Sequence, residues 1–234
     1  MKVIKTSDNT FTLYNKEFNE CYHSLGDGAY TETLYKHILP PIELTNLFYK
    51  SHLRILDICF GLGYNSFTTI SQYLKRRYKG KLEIFSPEKD GKIFEKLALL
   101  EYPAEIENID IFKIINELQT TKKSFPTPQI SLEIFFGDAR EYLDTFRTNS
   151  IDIIYQDPFS LKKNPELWDA KYFAKLFEIA TDESIVTTYC THSAVKRTAK
   201  EAGFFVYEHQ SGFTRKSTLL TKKPLDKLNF IEYN

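Results

Sequence analysis

LDICFGLGYNS, residues 56–66, holds two glycines between an apolar run and a helix-like segment. Gly61 and Gly63 follow the apolar residues at once, so the backbone there can approach a ligand closely. The helix that comes next offers unpaired N–H groups to a carboxylate or a phosphate. The motif is shorter than a full GxGxxG, because Tyr-Asn-Ser follows Gly63. By itself this segment predicts either a ligand-binding loop or an ordinary strand-to-helix corner.

Short apolar runs alternate with longer amphipathic ones from residue 53 onward. The apolar runs predict strands at 53–60, 82–86, 132–136, 151–155, 184–189, 204–208 and 216–220. The amphipathic runs predict helices at 65–77, 91–100, 139–146, 165–180 and 194–202. Nearly continuous apolar strands separated by helices indicate a parallel sheet covered on both faces. The last two strands are joined by only seven residues, 209–215, too few for a crossover helix, so they are predicted to form an antiparallel hairpin.

The composition is consistent with one α/β domain of 234 residues, and its 15 Tyr and 19 Phe are enough for a large core. We expect residues 1–50 to be an N-terminal extension packed on that core, with a helix near 31–38. Residues 51–234 are expected to form a Rossmann-like domain. The proline-bearing segment KKSFPTPQ, residues 122–129, is expected to be an exposed loop.

Charge, cysteines and histidines exclude several classes of protein. The formal net charge is zero, so the chain is no polycation, although a basic face on one side remains compatible with nucleic acid. The three cysteines are far apart with no CxxC pair, and the five histidines show no HxH or HxxxH spacing. Neither a disulfide framework nor a metal site is therefore indicated. The start of the chain lacks the apolar core of a signal peptide, and we expect a cytoplasmic protein without a membrane span.

Two acidic residues follow the next two strands. Glu88 ends the second strand, where an acid typically accepts hydrogen bonds from ribose hydroxyls. The alternative for Glu88 is a solvated acid that opens a helix. Asp138 follows Gly137 after the third strand and can reach an adenine amino group or simply cap a helix. Because the carboxyl ends of parallel strands meet at one edge of a sheet, these residues and the glycine loop predict a nucleoside-containing cofactor.

The cofactor of such a site is a dinucleotide or S-adenosylmethionine. Asp57 at the end of the first strand, the predicted hairpin and the Asp157-Pro-Phe corner after the fourth strand favour S-adenosylmethionine. An alkyl amine with a pKa near that of lysine, about 10.4, is mostly protonated at neutral pH. A carboxylate beside it can orient the nitrogen and accept its proton. Asp157 is the predicted catalytic residue, and capping of the following helix is its alternative role.

The corner after the fourth strand also carries a resemblance to a known family. YQDPFSLKKNPELW, residues 155–168, resembles the signature D-G-F-x-P-x-K-N-P-x-M-W of the MnmC-type methyltransferases. Residues 18–35, 56–67, 85–90 and 187–204 resemble further motifs of that family in the same order. The resemblance implies a class I S-adenosylmethionine-dependent methyltransferase with a Rossmann-like, seven-stranded, mostly parallel sheet and a C-terminal antiparallel hairpin.

The family methylates the aminomethyl group on carbon 5 of the wobble uridine of certain tRNAs. Many relatives also carry a flavin-dependent oxidase, which this sequence lacks, so the resemblance implies a stand-alone methyltransferase. The implied substrate is 5-aminomethyluridine, with or without a 2-thio group, in the anticodon stem-loop of tRNA. We expect a monomer that uses no metal ion.

Motifs and resemblance together predict the residues of the site. The cofactor is predicted to contact Asp57, Gly61, Gly63, Asn65, Glu88, Gly137 and Asp138. The tRNA is predicted to contact Tyr22, Tyr30, Phe159, Lys162, Lys163, Lys196 and Arg197. The aromatic residues are candidates for stacking on a base and the basic ones for binding phosphates. From residue 190 to the end there are eight Lys or Arg against four Asp or Glu. The alternative for the aromatic residues is packing in the core, and the alternative for the basic residues is a position on the solvated surface.

Two alternative functions accompany this prediction, and two departures from the family pattern motivate the second of them. Cys59 stands where the family has its first glycine, and Pro158 replaces the glycine of D-G-F. One alternative is methylation of a small-molecule or protein amine. The other is a protein that binds tRNA or the cofactor without catalysis.

Overall fold

A computed structural model describes residues 2–225 and 231–232. Its strands are β1 Lys2–Lys5, β2 Phe11–Asn15, β3 Glu20–Cys21, β4 His52–Ile58, β5 Lys81–Glu88, β6 Lys123–Thr127, β7 Ile130–Phe136, β8 Ile151–Gln156, β9 Ala180–Thr188, β10 Phe205–His209, β11 Ser217–Thr221 and β12 Ile231–Glu232. Its α-helices are α1 Ala29–Thr33, α2 Leu39–Leu44, α3 Tyr64–Lys75, α4 Ile93–Leu97, α5 Ile111–Thr121, α6 Ala139–Leu143, α7 Ala170–Ile179 and α8 Ser193–Glu201.

Shorter helical turns complete these elements. A π-helical turn, Leu34–Ile38, joins α1 to α2, and 3-10 turns occur at Leu47–Tyr49, Ala104–Ile106 and Pro165–Leu167. No helix within the described ranges is both long and apolar enough to cross a membrane.

The central sheet has the strand order β12-β10-β11-β9-β8-β4-β5-β7-β6. Its five middle strands, from β9 to β7, are parallel. On one side β11 pairs antiparallel with β9, and β10 pairs antiparallel with β11. The predicted mostly parallel sheet with a C-terminal antiparallel hairpin is confirmed. The sheet is wider than predicted, because the edge strands β6 and β12 were not expected.

The expectation of an exposed loop at residues 122–129 is wrong. Most of that segment forms β6, which pairs antiparallel with β7 through Lys123 opposite Glu133. Pro126 lies on this edge strand, where the missing N–H costs no bond to a second neighbour. The pairing register shifts between Ser124 and Thr127, so the strand is irregular at the proline.

Helix α5 was also missed, although its signals are present in the sequence. The Asp110 side chain caps the helix by accepting a hydrogen bond of 2.9 Å from the Lys113 N–H. Ile111, Ile114 and Leu118 are buried at the three- and four-residue spacing of an amphipathic helix. In contrast, the predicted helix 165–180 begins five residues late. It starts only after the Asp169 side chain accepts from the Tyr172 N–H at 2.8 Å.

The apolar core lies on both faces of the central sheet. Successive residues of a strand point to opposite faces, so Ile55 of β4 belongs to one apolar cluster and Leu56 to the other. Helix α3 covers the first face with Phe67, and α7 covers the second with Phe173. This burial explains why the parallel strands read as continuous apolar runs.

The N-terminal segment packs against the first face. Strands β1, β2 and β3 form a separate antiparallel sheet. Leu13 and Ile38 of this segment are fully buried in the same cluster as β4 and α3. The Tyr64 hydroxyl of α3 donates a 2.8 Å hydrogen bond to the Phe11 carbonyl. On these contacts we propose that residues 1–50 are an extension of one domain that continues from residue 51.

Candidate active site

A cleft opens at the carboxyl ends of β4, β5, β7 and β8, and part of the N-terminal segment forms its opposite wall. Its volume is about 1090 Å³. Ligand pockets of about 300–1,000 Å³ are typical for one small molecule. The cleft therefore has room for a nucleoside cofactor and part of a second substrate.

The loop between β4 and α3 has an unusual backbone. Cys59, Gly61 and Gly63 all adopt the left-handed region, with φ of 69°, 53° and 74°. A Cβ atom on Gly61 would lie 3.3 Å from the Tyr22 ring, and one on Gly63 would lie 2.5 Å from the Phe67 ring. Both glycines are thus required by backbone conformation and space. Cys59 keeps the conformation expected of the family's glycine at a strain of about 1–2 kcal/mol.

Glu88 joins this loop to the end of β5. Its carboxylate accepts hydrogen bonds from the Gly61 N–H at 2.8 Å and from the Asp90 N–H at 2.7 Å. Burial raises the pKa of Glu88 above its ordinary value, although these two bonds oppose the rise. The Glu88 carboxylate lines the cleft and is held rigidly by backbone donors from two loops.

Asp138 lies at the end of β7 and caps α6. Its side chain accepts from the Arg140 N–H at 2.9 Å and pairs with the Arg140 guanidinium at 2.7 Å. The hydrogen bond from this guanidinium is the main cause that lowers the pKa of Asp138 to about 2. Asp138 therefore combines the capping role with a place on the cleft wall, next to Gly137.

Asp157, directly after β8, is connected to a second carboxyl group through Asn65. The Asn65 Nδ2 donates to Asp157 Oδ2 at 2.9 Å and to Asp57 Oδ1 at 3.3 Å. Asp57 also accepts from the Ser66 hydroxyl at 2.7 Å and is fully buried. Burial raises the pKa of Asp57 to about 7. Asp57 thus supports Asn65 from beneath the cleft without lining it.

The charge state of Asp157 depends on two histidines from the N-terminal segment. Burial alone would raise the pKa of this carboxyl group. The nearby imidazoles of His37 and His23 and the hydrogen bond from the Asn65 amide outweigh burial and lower the pKa of Asp157. Its side chain is 16% exposed, and this exposed part faces the cleft. Asp157 is therefore an ionised acceptor at the floor of the cleft.

Hydrogen bonds from two aromatic side chains hold the corner that follows Asp157. The Tyr189 hydroxyl donates to the Pro158 carbonyl, and the buried Trp168 donates from Nε1 to the Phe159 carbonyl, each at 2.9 Å. The Phe159 ring stacks on Phe18, with centroids 4.4 Å apart and planes 17° apart. The single Trp therefore holds the Asp157 corner from behind and does not face the cleft.

The structure brings eight of the predicted site residues to the cleft: Tyr22, Gly61, Asn65, Glu88, Gly137, Asp138, Asp157 and Phe159. Seven others do not line it: Tyr30, Asp57, Gly63, Lys162, Lys163, Lys196 and Arg197. Lys162 and Lys163 nevertheless lie next to Asn164, which lines the cleft, so they flank its rim.

Two of the residues outside the cleft are buried and do not suit the roles predicted for them. Tyr30 is 9% exposed, and its hydroxyl accepts from Gln72 at 3.3 Å within the core, so its ring is not available to a base in the cleft. Lys196 is 2% exposed and lies 2.5 Å from Glu208, so a phosphate does not reach it. Arg197 is exposed on α8 and lies 4.0 Å from Glu201.

Sequence reasoning missed several polar residues at the cleft. Lys96 of α4 donates to the Tyr22 hydroxyl at 2.7 Å and pairs with Asp90 at 2.5 Å. His23 lines the cleft, and Arg215 reaches it from the loop after β10. His23 lies in the segment 18–35 that resembles a family motif, but no pattern there indicates that its side chain lines the cleft. Packing of the N-terminal segment over the strand ends brings His23 there, and Lys96 and Arg215 reach the cleft from α4 and from the loop after β10.

Comparison with known proteins assigns the cleft to a family. A family model described as S-adenosyl-L-methionine-dependent methyltransferase matches residues 104–223 of the 234. The chain belongs to this methyltransferase family. The crystal structure of MNMC2 from Aquifex aeolicus matches 97% of this methyltransferase and 72% of that chain, with a TM-score of 0.83 and 28% identity.

Curated relatives agree with this assignment. The bifunctional protein MnmC of Leptospira interrogans, named for biosynthesis of tRNA 5-methylaminomethyl-2-thiouridine, is 26% identical over 98% of this methyltransferase. An uncharacterized protein of Methanocaldococcus jannaschii is 26% identical over 98%. The methyltransferase spans 36% of the first relative and 62% of the second. The predicted resemblance to MnmC-type methyltransferases is confirmed.

The residues of the cleft fit S-adenosylmethionine. Asn65 Oδ1 is buried and, within the described part of the chain, accepts no hydrogen bond, so it is available to a donor such as the ammonium group of the cofactor. The Glu88 carboxylate is placed to accept ribose hydroxyls. Glu88, Asp138 and Asp157 together give the cleft a negative potential that suits a sulfonium cation. The methyltransferase thus depends on S-adenosylmethionine, as the sequence predicted.

Proposed function

We propose that this methyltransferase methylates the amino nitrogen of a 5-aminomethyl group on the wobble uridine of tRNA, with or without a 2-thio group. The observation that carries the proposal is the Asp157 carboxylate, which is held by Asn65 at 2.9 Å and lines the cleft. A protonated aminomethyl group needs such an acceptor beside the methyl donor. The names of the MnmC relatives support tRNA as the acceptor.

Different residues of the cleft hold the cofactor and act on the amine. When bound, S-adenosylmethionine supplies a methyl group activated by a positively charged sulfur. Glu88 and the loop around Gly61 hold the cofactor at one end of the cleft. Asp157 orients the amine, which must lie within about 3–3.5 Å of the methyl carbon for an in-line displacement. Asp157 also takes one proton from the ammonium form, because only the neutral amine has a lone pair to donate.

Aromatic residues beside Asp157 suit a nucleobase. Phe159 stacks on Phe18 and lies 5.2 Å from the Tyr22 ring, and all three line the cleft. A wobble base lies in a single-stranded loop, so turning it into a cleft costs less than extracting it from a duplex. Lys162 and Lys163 at the rim are placed to bind the flanking phosphates. These features support a single-stranded RNA acceptor.

Transfer of labelled methyl from S-adenosylmethionine to tRNA that lacks only the final methyl tests the proposal. Asp157→Asn serves as the matched variant, because it keeps the size of the side chain and removes its charge. We expect the wild type to produce 5-methylaminomethyluridine, identified by nucleoside analysis, and the variant to be slower by about 10²–10⁴-fold. Unlabelled tRNA with intact cofactor binding would overturn the tRNA assignment and point to another amine as the acceptor.

A further inference from the structure

His37 is a fully buried histidine that no sequence motif indicated. It belongs to the π-helical turn Leu34–Ile38, between α1 and α2. A π-helical turn inserts an extra residue into a helix and is frequently found at functional sites, because it redirects side chains. Here the turn packs against α3 and β9 and directs the His37 ring toward the end of the central strands.

The two ring nitrogens of His37 have different surroundings. Nδ1 lies 2.8 Å from the Thr187 hydroxyl of β9, which fixes the plane of the ring. Nε2 lies 3.6 Å from Asp157 Oδ1 and, among the residues that the structure describes, makes no hydrogen bond. Buried polar atoms are nearly always hydrogen-bonded, so an atom left without a bond beside a reactive group requires an explanation. The position of Nε2 points to a proton that moves between it and Asp157.

We propose that His37 receives the proton that Asp157 takes from the substrate amine. This inference rests on the proposed function, in which an ammonium group must lose a proton before methylation. The ammonium gives one proton to the Asp157 carboxylate, which passes a proton to Nε2 and becomes ionised again. The freed lone pair forms the nitrogen–carbon bond while the pair of the carbon–sulfur bond remains on sulfur. The stored proton later leaves His37 for solvent through Asp157.

A histidine in this place makes the proton transfer easier. In water, imidazole is a stronger base than a carboxylate by roughly several hundred-fold, as the ordinary pKa values of the two groups show. The ion pair formed by the imidazolium and Asp157 keeps the negative carboxylate next to the substrate. Asp157 touches the amine, whereas His37 acts through Asp157.

His23 does not replace His37 in this role. Its ring packs edge-on against Tyr64, with centroids 4.9 Å apart, and burial lowers the pKa of His23. A neutral His23 is therefore favoured near pH 7. Among the described residues, the titratable groups that face His37 and Asp157 from the surrounding elements are His23 of the N-terminal segment, Asp57 of β4, Cys59 after β4, Tyr155 of β8 and Tyr189 after β9.

The test compares His37→Gln with the control His52→Gln in single-turnover methyl transfer to tRNA between pH 6.5 and about 9.5, a range that approaches the ordinary amine pKa of about 10.4. Glutamine retains a polar atom near Nε2 but cannot take up a proton. The control ring is 48% exposed and pairs with Glu83 at the opposite end of β4 from the cleft. We expect His37→Gln to be slower by about 10²-fold at pH 7, with a deficit that shrinks at higher pH as solvent deprotonates the amine. Cofactor affinity, measured by calorimetry, is expected to stay within twofold.

Wild-type rates in His37→Gln at pH 7 would overturn the inference while leaving the proposed function intact. A deficit that is constant across the pH range would also overturn it, because a purely structural role predicts that result. Thermal unfolding checks that the variant is folded. If it is not, Thr187→Val takes its place, because it removes the Nδ1 partner that orients the ring and so loosens the position of Nε2 beside Asp157. It is expected to show a smaller deficit with the same dependence on pH.

A second readout does not depend on activity. In the free protein, the ¹⁵N signals of the His37 ring are expected to change in Asp157→Asn and to stay unchanged in Asp138→Asn. Equal signals in wild type and Asp157→Asn would show that Nε2 and Asp157 do not interact, which would overturn the inference even if tRNA proved to be the wrong acceptor.

Discussion

The backbone N–H of Gly61 donates a 2.8 Å hydrogen bond to the carboxylate of Glu88, 27 residues further along the chain. The two residues meet because β4 and β5 are neighbours in the sheet and run parallel, so their carboxyl ends lie side by side. The bond ties the glycine loop to the residue that we propose as the acceptor of the ribose hydroxyls. In this proposal, one carboxylate couples the conformation of the loop to the recognition of the cofactor.

Glu88→Gln should weaken cofactor binding more than folding. Each carboxylate oxygen of Glu88 accepts one N–H, from Gly61 or from Asp90, and glutamine replaces one of these oxygens by an NH2 group that cannot accept. Glutamine also removes the negative charge that we propose accepts the ribose hydroxyls of the cofactor. A lost hydrogen bond to a charged group costs about 1.5–3 kcal/mol, which corresponds to roughly a 10–150-fold loss of affinity. Calorimetry with S-adenosylmethionine measures it, and affinity within threefold of wild type would contradict the role of Glu88.

Asp57→Asn should change how stability depends on pH. Burial raises the pKa of Asp57 from the ordinary 3.8 to about 7, so between these values the folded protein keeps a proton that the unfolded chain has lost. Below this range both states are protonated. As pH rises from 3.8 to about 7, the free energy of unfolding falls by at most about 1.4 kcal/mol per pH unit. The loss is complete above the pKa of Asp57 in the folded protein.

Asparagine at position 57 cannot titrate, so the variant should lack the part of the pH-dependent stability that Asp57 causes. Melting temperatures from pH 5 to about 8, a range that includes the folded pKa of about 7, should therefore fall less steeply in Asp57→Asn than in wild type. Asp144→Asn is the control, because its side chain is 75% exposed. Parallel curves for Asp57→Asn and wild type would show that Asp57 is ionised in the folded protein at the lower pH.

Trp168→Phe should loosen the corner that carries Asp157. The variant keeps most of the buried aromatic surface but loses the Nε1 donor to the Phe159 carbonyl. We expect a loss of about 1–3 kcal/mol in unfolding free energy, because a buried carbonyl is left without its partner. We also expect a lower kcat with nearly unchanged cofactor affinity. Urea unfolding and steady-state kinetics measure the two effects, and an unchanged kcat would show that the corner needs no anchor.

Gly63→Ala should destabilise the fold, whereas Gly91→Ala should not. Gly63 has a φ of 74°, and a Cβ atom there would lie 2.5 Å from the buried Phe67 ring. Strain and overpacking together predict a loss of about 2–4 kcal/mol. A Cβ on Gly91 meets nothing within 4 Å, so it is the matched control. Equal urea midpoints for the two variants would contradict this account of the loop.

The amino-acid sequence by itself indicated the parallel sheet, the C-terminal hairpin and the positions of Gly61, Glu88, Asp138 and Asp157. These features can be predicted because buried parallel strands are continuous apolar runs, and the residues that follow them lie together at one edge of the sheet. Strand β6 could not be predicted from the sequence, since Pro126 is typical of a loop. The proline is tolerated in the strand only because β6 lies at an edge of the sheet.

Tertiary structure alone decided which other residues reach that edge. His23 and Lys96 come to the cleft, and Tyr30 and Lys196 are buried away from it, because of how the N-terminal segment and the outer helices pack. Such contacts join residues as distant in the chain as His37 and Thr187, and no local periodicity records them. The charge state of Asp157 follows from those contacts. Strand ends can therefore be located from sequence, whereas the groups that set the chemistry there are brought together only by the packed fold.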